Sequence, residues 1–436
     1  MENMENMENM ESMENMENME NMEKVENLEK VENLEKVSII KNYIAPLTLM
    51  IILPILLILL LKKYATTSSK NIYPNTFSLG VLIVLLLWGY SSIKFFPKNF
   101  KGPTNLDGIT PKYQGNGFIF WAITTIITGL ICFFVPTFPT KFTENFISII
   151  ITFAIFGFIF VFYLYFKDRN TYWDKDEDDK KGYSDVFRFY RGLSFHPTVG
   201  GVDVKQLTNC RFGMIGWQII ITIFAFFSYY NYGLNTAMAV SFILQSLYIA
   251  KFFFWETGYF NTLDITLDRA GYYICWGCIV FVPAFYTFAS YYLANNPSKV
   301  SLGVGALFLA LGIAFIWLNY DVDAQKEAFK KDNGAMIWGK KAEYISDRGE
   351  GDGGRKLLTS GWWGVSRHIN YVFEIGLSAC WCGVALKLPP LAYLAYIIIL
   401  LVHRTFRDEE KCAKKYGELW KQYSKKVRYY MIPKIF

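Results

Sequence analysis

Histidine is almost missing from this chain: His196, His368 and His403 are the only three in 436 residues. A metal centre needs further Cys or His ligands close by, and these three are scattered. The seven cysteines do not supply them. Cys275-Trp-Gly-Cys278 and Cys380-Trp-Cys382 lie inside apolar aromatic runs and read as buried free thiols, so no metal is expected. No Gly-x-Gly-x-x-Gly follows a strand and no Walker loop is present, so any dinucleotide is held without a Rossmann fold. No Ser/His/Asp or Cys/His set offers a nucleophile. The acidic run Asp174-Lys-Asp-Glu-Asp-Asp179 lacks calcium-loop spacing and reads as a solvated loop. The first residues are acidic and polar, so a cleavable signal peptide is not expected.

What the chain has instead is hydrocarbon. It is 53% hydrophobic and 18% aromatic. Apolar runs approaching the ~20 residues that cross a bilayer fall near 44–61, 77–96, 118–135, 146–166, 214–230, 236–255, 271–292, 302–320, 372–384 and 391–402. The expected fold is all-α, a multi-pass integral membrane bundle of about ten transmembrane helices with no Rossmann domain. At that depth a helix satisfies its own backbone. The lipid bilayer is therefore its first partner.

Residues 1–37 stand apart. They repeat Met-Glu-Asn, with Ser12 as an exception, and then Lys-Val-Glu-Asn-Leu-Glu. Val25, Leu28, Val31, Leu34 and Val37 recur every third position, a period that drifts around a helix. A low-complexity, disordered or weakly helical tail is expected, ahead of one membrane domain over 38–436. The tail carries −9 of charge, so the net +6 conceals about +15 on the body. Much of that sits in 326–367 and 404–434, flanking apolar runs. Basic flanks mark the cytosolic side, and the two apolar stretches between them return the chain to it. Basic residues that flank membrane helices give no reason to expect nucleic-acid binding.

Chemistry is expected in the last eighty residues. Arg404, Asp408, Cys412 and Tyr416 are four apart and share one helix face. Such a face makes either a structural ion pair or an anion clamp with a poised acid. Lys326 and Lys330, also four apart, repel one another unless phosphate or lipid head groups compensate. Trp362-Trp363 and Asn370-Tyr371 offer flat faces and an amide, fit for a nucleotide base or nicotinamide, or for an interfacial aromatic belt. Lys251, Glu256, Asp264, Asp268, Arg269, Asp321 and Asp323 flank or enter apolar helices. Each alone suits a salt bridge, but their number points to a polar cavity.

Three stretches carry a resemblance: Leu358-Thr-Ser-Gly-Trp-Trp-Gly364, Arg367-His-Ile-Asn-Tyr371, and the run from Arg404 through Arg407-Asp-Glu, Cys412, Lys415-Tyr-Gly417 and Trp420 to Tyr423. Together they resemble the sterol reductase family, which includes delta-14 and delta-7 reductases and part of the lamin B receptor. Asn209-Cys-Arg-Phe-Gly-Met214, Phe252-Phe-Phe-Trp-Glu-Thr-Gly-Tyr259 and Asp268-Arg-Ala-Gly-Tyr-Tyr-Ile-Cys-Trp-Gly-Cys278 are similar to its delta-7 branch in the plant form. The resemblance runs from about residue 40 to the end. It implies an NADPH-dependent enzyme of the endoplasmic reticulum membrane, with a cytosolic C-terminus, that reduces the C7–C8 double bond of a delta-5,7 sterol. Delta-14 reduction and a non-catalytic sterol-binding role are the rival expectations. The implied cofactor contacts are Lys326, Lys330, Trp363, Asn370, Tyr371, Arg404, Asp408 and Tyr416, with residues 320–436 forming most of the pocket. The implied catalytic pair is Tyr248 and Asp408. Neither the motifs nor the resemblance gives an oligomeric state.

Overall fold

The computed structural model describes residues 39–65, 72–104, 108–172, 183–347 and 354–436. The repeat tail, the acidic run 174–179 and most of the Gly-rich stretch 350–355 lie outside the described residues. Among those described, eight helices are long and apolar enough to cross a membrane: α1 (Ile40–Lys63), α2 (Thr76–Phe95), α3 (Gly117–Phe134), α4 (Phe146–Arg169), α5 (Gln206–Tyr232), α6 (Thr236–Phe254), α7 (Tyr272–Asn295) and α8 (Leu302–Lys331). Then come α9 (Ile369–Gly383), α10 (Leu391–Tyr416) and a short amphipathic α11 (Glu418–Lys426). The sheets among the described residues are four two-stranded hairpins. The expected ten spans thus divide into eight long apolar helices and two special ones. α9 has 15 residues, short of a full crossing. α10 is apolar in its first half and charged in its second.

α5 is the central post. In its apolar window 83% of residues are buried inside the bundle, against 17% for α1, which faces outward. Its first nine residues, Gln206–Met214, are wound as a π-helix and pack against a second π-helical stretch of α7, Gly277–Tyr286, which contains Pro283. Gly213 permits that approach, because a Cβ there would sit 2.8 Å from the Cys278 carbonyl oxygen. Apolar reading placed the start of this span near residue 214, after Arg211. The helix begins earlier because Arg211 is neutralised inside the bundle: its guanidinium pairs with Glu256 on both carboxylate oxygens and donates to Asn116 Oδ1 at 2.7 Å.

Midway along α5, Trp217 anchors an aromatic cluster. Its ring lies 5.8 Å from Tyr248, 5.2 Å from Tyr286 and 6.1 Å from Trp381. Its indole N–H donates to Gln245 Oε1 at 2.8 Å, and Gln245 Nε2 donates onward to Ser290 Oγ at 2.8 Å. These bonds fix the rotation of α6 and so the direction in which Tyr248 points.

α8 continues well beyond its expected end at residue 320, to Lys331. The last three turns carry Asp321, Asp323, Lys326 and Lys330 out of the hydrocarbon on a rigid rod. α9 packs closely along α8, where Gly376 leaves room for the Phe315 ring 2.6 Å from its ideal Cβ position. The hairpin Tyr344–Ser346 with Lys356–Leu358 packs through Ile345 and Leu357 on Trp420, Tyr423 and Val427, beside Cys412 and Tyr416. The ends of α8 and α10 therefore meet on one side of the bundle.

Candidate active site

Three helices supply a polar network inside the bundle. On α9, Tyr371 and Glu374 are one turn apart and share a face. The Tyr371 hydroxyl donates to Asp408 Oδ2 on α10 at 2.6 Å. The Tyr248 hydroxyl on α6 donates to Glu374 Oε1 at 3.0 Å. Arg404, one turn before Asp408, donates from Nε to Asp408 Oδ2 at 3.5 Å and lies 5.7 Å over the Tyr371 ring. Arg404 is also within electrostatic reach of Tyr248 and Glu374. The expected pair, Tyr248 and Asp408, belongs to this network without a direct hydrogen bond between them. Each has its own partner on α9, and Arg404 links the two halves.

Asp408 holds unused capacity. Its Oδ1 is buried and accepts no hydrogen bond from the described residues. A buried acceptor left open is costly and is a natural place for a donor from a bound molecule. The Asn370 side-chain amide likewise has no hydrogen-bond partner among the described residues, while its backbone carbonyl accepts from Asn319 Nδ2 at 2.9 Å.

Beyond this network the site opens into cations. Lys326 lies 4.1 Å over the Trp363 ring and close to Lys330, Lys415 and Cys412. Among the described residues none of these three lysines has a carboxylate within ion-pair distance. Trp363 is held in place at both ends, its indole N–H donating to the Val322 carbonyl at 3.0 Å and its own carbonyl accepting from the Tyr423 hydroxyl at 2.9 Å. Arg355 approaches Tyr416, 6.0 Å over its ring, and donates to the Lys415 carbonyl. The same guanidinium holds the Asp347 carboxyl below its usual range by a 2.9 Å hydrogen bond. The arrangement is a cationic rim, an aromatic plate, an open amide and an open carboxylate oxygen in sequence toward the interior. A polyanion with a flat polar head fits that series of groups.

The structure divides the predicted residues plainly. Lys326, Trp363, Tyr371, Arg404, Asp408 and Tyr416 are brought together at one end of α8, α9 and α10, with Lys330 and Asn370 adjoining. Tyr248 joins them through Glu374. Other charges near the spans serve packing. Lys251 pairs with Asp323 at 3.2 Å and donates to Asn319. Asp268 faces Arg407 at 3.8 Å and Lys411 at 3.7 Å. Arg269 donates to the Leu193 carbonyl at 2.8 Å over the Phe195 ring. Asp321 accepts from the Trp362 indole at 2.7 Å. The Arg367-His368 part of the motif is also structural: Arg367 Nε donates to Glu409 Oε1 at 2.7 Å, with His368 Nε2 at 3.0 Å.

Two members escaped sequence reasoning. Lys415 was read only as part of a motif, although its neighbours are Lys326 and Tyr416. Glu374 was passed over as a lone acid inside an apolar run; its spacing of three from Tyr371 was the available signal.

An apolar groove of about 460 Å³ lies between α6 and α8, beside Phe118 of α3. Phe254, Ile313, Trp317 and Tyr320 line it and are exposed on the outer surface of the bundle. Lys251, one turn after Tyr248 on α6, stands among the lining residues.

The sequence matches the profile of the "Ergosterol biosynthesis ERG4/ERG24 family" over residues 29–436. It is 36% identical to a 7-dehydrocholesterol reductase of Arabidopsis thaliana over 380 residues, covering 84% of this chain and 87% of that one. A 7-dehydrocholesterol reductase of Danio rerio is 33% identical over 340 residues, covering 76% and 71%. A Delta(14)-sterol reductase of Methylotuvimicrobium alcaliphilum is 33% identical over 286 residues, 65% of each chain. With a match that takes in every described residue, and with the polar network set among membrane-spanning helices, the chain belongs to the ERG4/ERG24 family of sterol reductases.

Proposed function

We propose that this protein is an NADPH-dependent sterol delta-7 reductase of the endoplasmic reticulum membrane, with its C-terminal end in the cytosol. In this reading it converts 7-dehydrocholesterol to cholesterol. The observation that carries it is the open Oδ1 of Asp408, buried beside Arg404 and Tyr371 and near three lysines that have no carboxylate within ion-pair distance among the described residues. The 36% identity to the Arabidopsis thaliana relative, and the wider coverage of the Danio rerio one at the same 33% as the Delta(14)-sterol reductase, support the delta-7 assignment.

The residues suit the cofactor. Lys326, Lys330 and Lys415 would meet phosphates, Trp363 and Tyr416 would offer stacking faces, and Asn370 and Asp408 would bond the carboxamide end. Lys330 contributes charge without the bidentate geometry of an arginine. When bound, reduced nicotinamide supplies hydride. The chain's own groups do the rest. An unactivated alkene resists hydride until it is protonated, so an acid must be aimed at it in a dry site. The Tyr248 hydroxyl is that acid, turned inward by the Trp217–Gln245–Ser290 bonds. Arg404 steadies the charges around it and holds Asp408 in line. The sterol itself is rigid and apolar and needs few polar anchors. The groove between α6 and α8 offers it an apolar surface on the bilayer side, one turn along α6 from Tyr248.

A second reading, reduction of a delta-14 bond, is favoured by the similarity to Delta(14)-sterol reductases. Membranes containing the protein, given NADPH with a delta-5,7 sterol and a delta-8,14 sterol in competition, separate the two. Saturation of C7–C8 with the delta-8,14 sterol untouched is expected. Saturation of C14–C15 alone supports the second reading, and no NADPH oxidation with either sterol defeats both.

A further inference from the structure

We propose that Glu374 is a positioning residue that resupplies the proton given up by Tyr248; the assignment rests on the reading of Tyr248 as the acid. It follows from how Glu374 differs from four carboxyls that have a cation partner; Asp168 and Asp321 have none among the described residues either, but of these three only Glu374 meets Tyr248. Glu256 has Arg211, Asp323 has Lys251, Asp408 has Arg404 and Glu409 has Arg367. Glu374 has no cation within 4.0 Å among the described residues, and its one hydrogen bond to them comes from the Tyr248 hydroxyl. The nearby cations, Arg404 and Lys251, are paired to other carboxylates. A carboxylate left without a counter-ion among packed apolar helices costs several kcal/mol. The same group as a neutral acid costs far less and can both donate and accept.

The surroundings suit that form. Tyr248 sits 5.6 Å from the Trp381 ring and 5.8 Å from Trp217. Trp381 is fully buried. Glu374 and Trp381 are two turns apart on one face of α9, so the aromatic wall beside Tyr248 is built from the helix that carries the acid. The 3.0 Å separation serves a hydrogen bond in either direction. When the Tyr248 hydroxyl turns toward substrate, the Glu374 O–H donates to the phenolic oxygen.

The step balances. The alkene π pair forms a C–H bond with the Tyr248 proton while the phenolic O–H bond breaks. The other alkene carbon receives hydride from the reduced nicotinamide. The Glu374 O–H bond breaks as its proton passes to the phenolate, and the resulting carboxylate regains a proton from water. Substrate gains two hydrogens and the nicotinamide is oxidised by two electrons. Tyr248 ends each turnover unchanged.

Glu374→Gln tests this, because it keeps an acceptor for Tyr248 and removes the transferable proton. In membranes with 7-dehydrocholesterol and NADPH, kcat is expected to fall about 100-fold, the scale of one acid–base contribution, with KM for both substrates within about twofold. In the wild type kcat should fall as pH rises and Glu374 loses its proton. That alkaline limb should vanish in E374Q. Should E374Q fail to accumulate, Glu374→Asp carries the test: it keeps the acid but withdraws it by one methylene, so kcat should drop at unchanged KM. An active wild type with an equally active E374Q, or with an equally active E374D where only that variant folds, overturns the assignment alone. A wild type inert toward every sterol overturns the functional reading beneath it, and the assignment with it.

Discussion

Two buried charge centres in this bundle are built from the same parts and do opposite things. Around Glu256, both carboxylate oxygens are answered: Oε1 and Oε2 take the Arg211 guanidinium, and Oε2 also accepts from the Gly117 backbone N–H at 2.9 Å. Around Asp408, one oxygen takes Tyr371 and Arg404 while the other stays open. The first centre ties α3, α5 and the segment after α6 together. The second leaves an acceptor facing inward at the junction of α9 and α10. An arginine–carboxylate pair inside a membrane protein is therefore not itself a sign of chemistry; the open carboxylate oxygen sets Asp408 apart from Glu256.

This contrast can be broken by experiment, beginning with the largest effect. Asp408→Asn removes the charge and any proton it handles while nearly preserving shape. Sterol reduction per inserted protein is expected to fall by about 10²- to 10⁴-fold, with thermal stability in detergent little changed. Wild-type turnover in D408N would remove Asp408 from the mechanism. Arg211→Met strands Glu256 at depth and should destabilise the protein by roughly 3–5 kcal/mol, seen as lost folded yield and a lower unfolding temperature. If D408N unfolds the protein and R211M does not, the comparison is inverted and fails.

Smaller effects sharpen the cationic end. Lys326→Ala removes a charge from the rim and should raise KM for NADPH by roughly ten- to a hundredfold, with kcat at saturation nearly kept. A loss confined to kcat would place Lys326 elsewhere. Lys330→Arg adds bidentate geometry and should lower KM for NADPH by roughly two- to fivefold, the scale of an exposed charge contact. An unchanged value under both low and high salt would mean that Lys330 touches no phosphate.

Much of this was legible in the sequence. Apolar run length alone outlined the helices, and four-residue spacing put Arg404, Asp408, Cys412 and Tyr416 on one helix face. What escaped had a physical cause in each instance. Arg211 hid the start of α5 because hydropathy counts a charge without seeing its distant partner, Glu256. The end of α8 was drawn eleven residues short of Lys331 because apolar content stops where the helix does not. Glu374 went unremarked because a single acid in an apolar run stands out only by its spacing of three from Tyr371. Only the packing of α9 on α6 shows that its partner is a phenol 126 positions away. Glu256, Asp268 and Arg269, whose number pointed to a cavity, instead serve the packing that each alone suggested. They lie beside membrane helices, yet each meets its complement in packing.

The central claim is that a protein-borne acid protonates a sterol alkene as a nicotinamide gives it hydride. The most direct test is turnover of 7-dehydrocholesterol with unlabelled NADPH by the wild-type protein in heavy water. The account predicts a dihydro product with one solvent deuterium, at C7 or C8. A reduced product free of solvent deuterium at both carbons, or no reduced product at all, contradicts it.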